Sequence, residues 1–182
     1  MAAPKRQIAL LRGINLAKQR RVSMADLRDV VSGVGYDDVR THLQSGNVVL
    51  TANVSPNTVA RKLERELERV LGMDVKVVVR TRDELAAVID ADPFGDAVDK
   101  PSWYQVTFLA AKPSAKVVRD LESEDFAPEQ VAVRGREIYA WHPSGMNKSR
   151  LAKALSGKDL GVAATARNWN TVTKLLAIAD EG

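Results

Sequence analysis

The chain has 182 residues, 45% of them hydrophobic, and a formal charge of +4. That suits one large domain or two small ones and excludes disorder as the main state. The absence of cysteine removes disulfides, thiol nucleophiles and Cys-based zinc sites, fits a reducing compartment and leaves no metal expected. No apolar run approaches the roughly 20 residues that cross a bilayer, and the run of about four before Arg12 is too short for a signal-peptide core, so a cytoplasmic protein with no membrane partner is expected.

Charge is uneven along the chain. Residues 1–25 carry Lys5, Arg6, Arg12, Lys18, Arg20 and Arg21 with no acid, and residues 147–174 carry Lys148, Arg150, Lys153, Lys158, Arg167 and Lys174 against Asp159 alone. Two basic segments thus flank a middle that is acidic overall. If folding brings them together, their potential attracts an anion; if not, they are two solvated basic faces.

In chain order, "RQIALLRG" reads as a buried strand ending at Gly13, followed by the basic loop "INLAKQRRV". Arg12 and Asn15 could bind a phosphate or a base edge there, or tie the loop down. Ser23 before "MADLRDVVSGVG", with Asp26 three residues on, forms a capping-box variant, and Gly35 stops the helix. "DVRTHLQSGNVVLTA" reads as a hairpin turning at Ser45 and Gly46; Asn47 suits that turn for backbone reasons or faces a ligand. "SPNTVARKLERELERVLG" is an amphipathic helix with Val59, Leu63, Leu67, Val70 and Leu71 on one face. "VKVVVRT" completes βαββαβ, the order of a ferredoxin-like sheet.

A short helix, "RDELAAVIDADPF", ends at Pro93, and the polar connector "GDAVDKPS" marks a boundary between halves of 1–92 and 93–182. The second half restarts with the strand "WYQVTFLA", the helix "SAKVVRDLES" and a hairpin turning near Gly135. A helix from about Asn147 and the terminal "ATARNWNTVTKLLAIAD" helix follow. The expected fold is α+β, two packed ferredoxin-like halves with a C-terminal helix.

Candidate chemistry clusters at helix starts. On a helical wheel Trp169, Val172, Leu175, Leu176 and Ala179 face a core, while Arg167, Asn170, Thr171 and Lys174 share a polar face. Helix N-termini favour phosphate or carboxylate, so Arg167, Asn168, Asn170 and Thr171 are candidate ligand contacts, with Thr165 or Asn168 alternatively a plain N-cap. "PSGMNKSRLAK" places Lys148 and Ser149 in a first helical turn but lacks the glycines of a P-loop. His42 and His142 have no partner at ligand spacing and read as structural. The strands "QIALLRG" and "GNVVLTA" hold no aromatic residue, which disfavours base stacking of the RNA-recognition type; Tyr104 and Phe108 share the parity of Val106 and read as core.

"ALLRGIN", "MADLR", "LQSGNVV", "DPF", "VTFL", "GREIY" and "TARNWNTVTKLL" occur in this order, and on them the chain resembles the bacterial domain of unknown function 1697 family over nearly its full length. The resemblance implies a small two-part α+β fold in a cytosolic protein and brings no catalytic residue or cofactor with it. It implies that Arg12, Gly13, Asn15, Gln44, Ser45, Gly46, Asn47, Arg167, Asn168, Trp169, Asn170 and Thr171 occupy motif positions. Where the family pattern has a Gly-Gly pair after "RGIN" this chain has Ala17 and Lys18, which weakens a glycine cradle for phosphate; a Pro before "MADLR" is Ser23 here.

The leading expectation is binding of a phosphate-bearing ligand, namely a nucleotide, a phosphometabolite or a nucleic-acid backbone, through Arg12, Asn15, Asn47, Arg167, Asn168, Asn170 and Thr171, with Lys148 and Ser149 as additions. The alternatives are a small enzyme on a phosphorylated metabolite, using Lys148, Ser149 or Asp92, and a protein-interaction module. Oligomeric state and cofactor stay open.

Overall fold

A computed structural model of the chain describes residues 3–16, 21–157 and 159–182; the charges on Lys18, Arg20 and Lys158, and the Ala17–Lys18 departure, lie outside them. The chain divides into two units. The first comprises residues 1–86 and 174–182, and the second residues 87–173.

The first unit runs β1 (Lys5–Leu11), α1 (Met24–Gly33), β2 (Asp37–His42), β3 (Asn47–Ala52), α2 (Pro56–Leu71) and β4 (Val77–Thr81). Its antiparallel sheet has the order β2-β3-β1-β4, the split βαβ order of a ferredoxin-like sheet. Ser23 caps α1 by accepting from the Asp26 amide, Ser55 caps α2 in the same way, and Gly72 ends α2 in a left-handed conformation. Leu27, Val30 and Val31 of α1 and Val59, Leu63 and Leu67 of α2 pack on Ala9, Leu11, Val48, Leu50, Val77 and Val79. Val70, expected in that stripe, is 47% exposed. It lines a surface cleft with Val30 and Gly33 of α1 instead of covering the sheet.

α3 (Arg82–Asp90) leads into the second unit, which runs β5 (Tyr104–Leu109), α4 (Ala115–Ser123), β6 (Gln130–Arg134), β7 (Glu137–Trp141), α5 (Arg150–Gly157) and β8 (Ala164–Asn168). α6 (Trp169–Asp180) then carries the chain back to the first unit. The second sheet has the order β6-β7-β5-β8. The half that reads as βαββα with a terminal helix is thus a complete βαββαβ repeat. The correction falls on "ATARN", which pairs antiparallel with β5 from Gln105↔Asn168 to Leu109↔Ala164. Leu109 and Ile138 pack with Leu121 of α4, and Ala140 packs with Phe126 and Leu151 of α5. Tyr104 and Phe108 are core, at 0% and 1% exposure. Among the described residues no helix is long and apolar enough to cross a membrane.

Candidate functional site

In the first unit the two sequence motifs meet at one end of the sheet. The Leu11 amide donates to the Gly46 carbonyl at 2.9 Å and the Arg12 amide to that of Lys76 at 2.9 Å. Asn15, in a left-handed conformation at φ 56°, works as a clamp. Its Nδ2 donates to the carbonyls of Val22 (3.0 Å) and Gln44 (2.7 Å), and its Oδ1 accepts from the Val22 amide at 2.9 Å. Asn47 is fully buried and donates to the His42 carbonyl (2.8 Å) and to Ser45 Oγ (3.0 Å). Gly46 has φ 81°, and a Cβ there would stand 2.5 Å from Ile14 Cδ1. The "RGIN" and "QSGN" motifs are therefore two loops locked together by amides and close approach.

What these loops present is positive and partly apolar. Arg12 is exposed. Leu43 holds φ 60°, a costly conformation for a non-glycine residue, and is 54% exposed. Leu16, beside Asn15, is 80% exposed. Burial lowers the pKa of His42, and the charge of Lys174 lowers it further. Lys174 belongs to the second basic segment and to the first structural unit. A residue of the second basic segment is thus brought beside His42, next to the loop that follows β2.

In the second unit the terminal motif does different work from that expected. Arg167 lies in β8 and is 8% exposed, not in a helical turn. Its guanidinium donates to Thr165 Oγ1 (2.7 Å) and to the Ala166 carbonyl (2.8 Å), and burial brings its pKa down to about 10, still charged at neutral pH. Asn168 is the N-cap of α6, its Oδ1 accepting from the Thr171 amide at 3.0 Å. Trp169 stacks on Tyr104 with ring centroids 4.7 Å apart. Thr171 is buried and Asn170 is exposed. The polar helix face is thus dispersed among a strand, a cap, a buried side chain and one exposed amide.

Asp92 closes a turn. Its Oδ1 accepts from the Phe94 and Gly95 amides and from the Tyr104 hydroxyl at 2.7 Å. Burial, with this carboxylate, pushes the Tyr104 pKa far up and keeps the phenol protonated.

Lys148 ends a short 3-10 turn and is exposed, while Ser149 precedes α5 and is 1% exposed. Ser149 Oγ accepts from the Ala152 amide at 2.9 Å and lies 2.7 Å from His142 Nδ1. The direction of the Ser149–His142 bond follows the imidazole tautomer, and burial lowers the His142 pKa. A Ser–His contact is the geometry of an activated nucleophile. Here both side chains are 1% exposed and the oxygen caps a helix, so the pair locks the β7–α5 connection. Among the described residues no three His, Asp or Glu side chains converge as metal ligands.

The profile of the family described as "Protein of unknown function (DUF1697)" matches residues 5–139, well over half of the chain. The chain belongs to the DUF1697 family. Its fold is similar to that of the conserved bacterial protein SP0830 from Streptococcus pneumoniae, with a TM-score of 0.80 over 97% of this chain and 99% of that one. Sequence identity is 21%, and the likeness speaks for the fold alone. None of the curated proteins matches. The DUF1697 match contains both loop motifs of the first unit and ends ahead of His142, Ser149 and Arg167. Sequence reasoning set His42 aside for want of a partner at short spacing. The available signal was its place two residues before "QSGN", with Lys174 brought in from the far end of the chain.

Proposed function

We propose that this DUF1697 protein binds a phosphate-bearing ligand, a nucleotide, phosphometabolite or nucleic-acid backbone, at the positive end of the first unit. The observation that carries it is the approach of Lys174 to His42 beside loops that expose Arg12. Clustered cations lower one another's affinity for protons, and a phosphate among them relieves that repulsion. Arg12 makes the ligand contact, as a planar two-pronged donor. Asn15 and Asn47 hold the loops that present it, since their amides are engaged with the backbone. In the second unit only exposed Asn170 and Lys148 are left as candidate contacts. Arg167, Asn168, Thr171 and Ser149 serve there by fixing the strand and the helix starts.

The chain has two histidines, so imidazole resonances give the test, with buried His142 as internal control. Inorganic phosphate, a mononucleotide, a sugar phosphate and a short oligonucleotide are titrated against the full chain at two salt concentrations. A bound phosphate raises the His42 pKa toward or above 6.5 and leaves His142 unmoved, and Arg12→Gln removes the effect. A His42 titration curve indifferent to all four probes would sink the proposal. A small enzyme would rest on Ser149 and His142; Ser149→Ala would then abolish turnover, whereas a lock predicts lost stability with ligand binding intact.

A further inference from the structure

Among the described residues three large apolar side chains stand exposed, Leu16 at 80%, Leu43 at 54% and Val70 at 47%. Two of them share one corner of the first unit. Asn15 donates to the carbonyls of Val22 and Gln44, and Leu16, Arg21 and Leu43 are each the chain neighbour of one of those three bonded residues, so the clamp gathers them into a single knob. Arg21 is exposed as well. Leu43 is held at φ 60°, a conformation that glycine adopts freely. A leucine both strained and wetted points to an apolar contact outside the chain.

Val70 belongs to a patch of opposite charge. The cleft that it lines with Val30 has a volume of about 290 Å³, about ten times a water's share of the liquid, and the carboxylates Asp26, Asp29 and Glu66 complete its walls. Glu66 is taken by Arg69, which donates to it through Nε at 3.0 Å and Nη2 at 2.6 Å. Asp26 and Asp29 are exposed, stand one turn apart on α1 and have no ion-pair partner among the described residues. Like charges at that spacing repel each other. The cleft thus keeps a negative rim on a chain whose formal charge is +4.

Knob and cleft are opposite in charge and alike in their apolar part. We infer that the occupant of the cleft is a second copy of this chain: Leu16 and Leu43 of each protomer pack against Val30 and Val70 of the other, and Arg21 faces Asp26 and Asp29. The two patches are neighbours on one unit, since Val22, bonded to Asn15, directly precedes Ser23, the N-cap of α1, and Asp26 lies in the first turn of that helix. A two-fold axis passing between them makes both contacts at once and closes the assembly at two copies. All three exposed apolar side chains leave water in it.

Sedimentation velocity on the full chain, from micromolar to millimolar protein, should show a reversible equilibrium between one and two copies that raised salt weakens. Leu43→Gly relieves the backbone strain while removing the plug. It should therefore keep the stability of the unaltered chain and weaken the dimer at least about tenfold, the scale of one leucine side chain taken from water. Asp29→Arg and Arg21→Asp should each weaken the dimer, and an equimolar mixture of the two variants should restore it, because each reversed charge then meets its new opposite on the other protomer. A chain that stays single at millimolar concentration would overturn the inference. So would species larger than two copies, a dimer indifferent to Leu43→Gly, or a mixture that associates no better than its components. Should Leu43→Gly fail to fold, the mixture decides in its place.

Discussion

At Gly46 the backbone is left-handed and the space for a side chain is already filled by Ile14 and by Leu11 Cβ, 2.9 Å from an added methyl. Gly46→Ala therefore combines conformational strain with overpacking, and we expect a loss of about 2–3 kcal/mol in chemical denaturation. Histidine supplies a second expectation. Burial lowers the folded pKa of His142 below its usual 6.5, so between the two values the unfolded chain binds the extra proton. Stability is fully present above pH 6.5 and declines as pH falls from there toward the lowered folded value, by at most about 1.4 kcal/mol per pH unit. Unfolding curves at pH 7.5 and 5.5 check the sign, and the slope should shrink in His142→Phe if that variant folds. The sequence marked Asn15, Gly46 and Asn47 as special without disclosing their partners. Asn15 joins Val22 to Gln44, and main-chain partners leave no trace in residue type.

Among the elements, the two amphipathic helices of the first unit and both hairpins follow from pattern and capping. β8 did not, because five small and polar residues, "ATARN", run straight into a helix that absorbs them on a helical wheel. The parity was present all the same, with Thr165 and Arg167 buried and Ala166 exposed. Placing the break at Asn168 turns a crowded polar face into a strand end followed by a cap. Asn168→Ala should cost about 1 kcal/mol, read by thermal or chemical unfolding, with hydrogen exchange quickening first in Trp169–Thr171. Asn170→Ala, on an exposed position, should change stability by under about 0.5 kcal/mol. Equal losses from the two would contradict the cap.

Across the molecule, the split of charge was legible, but the approach of Lys174 to His42 was not, because it takes the return of α6 to bring them together. That return is secured by arginines. Arg6 donates toward the Ala179 carbonyl (3.4 Å) and holds Asp38, Arg82 Nε bonds Asp180 at 2.7 Å, and Arg40 pairs with Glu181 at 3.3 Å. The cations stand at a helix C-terminus, where carbonyl dipoles favour them. Arg6→Met, which keeps the stem and removes the fork, should speed amide exchange in residues 176–181 while the second sheet keeps its protection, and raised salt should act in the same direction through the exposed pairs. The divided first unit also bears on how the chain is made. Its four strands are complete once residue 81 is synthesised, yet residues 174–182 follow only after the whole of the second unit. At about 5–20 residues per second, Arg40 and Arg82 wait several seconds for Glu181 and Asp180. For that interval Arg40 and Arg82 have only sequence neighbours, Asp38 and Asp83, as counter-charges, so the ion pairs that hold α6 close only after every residue between their two ends has been made.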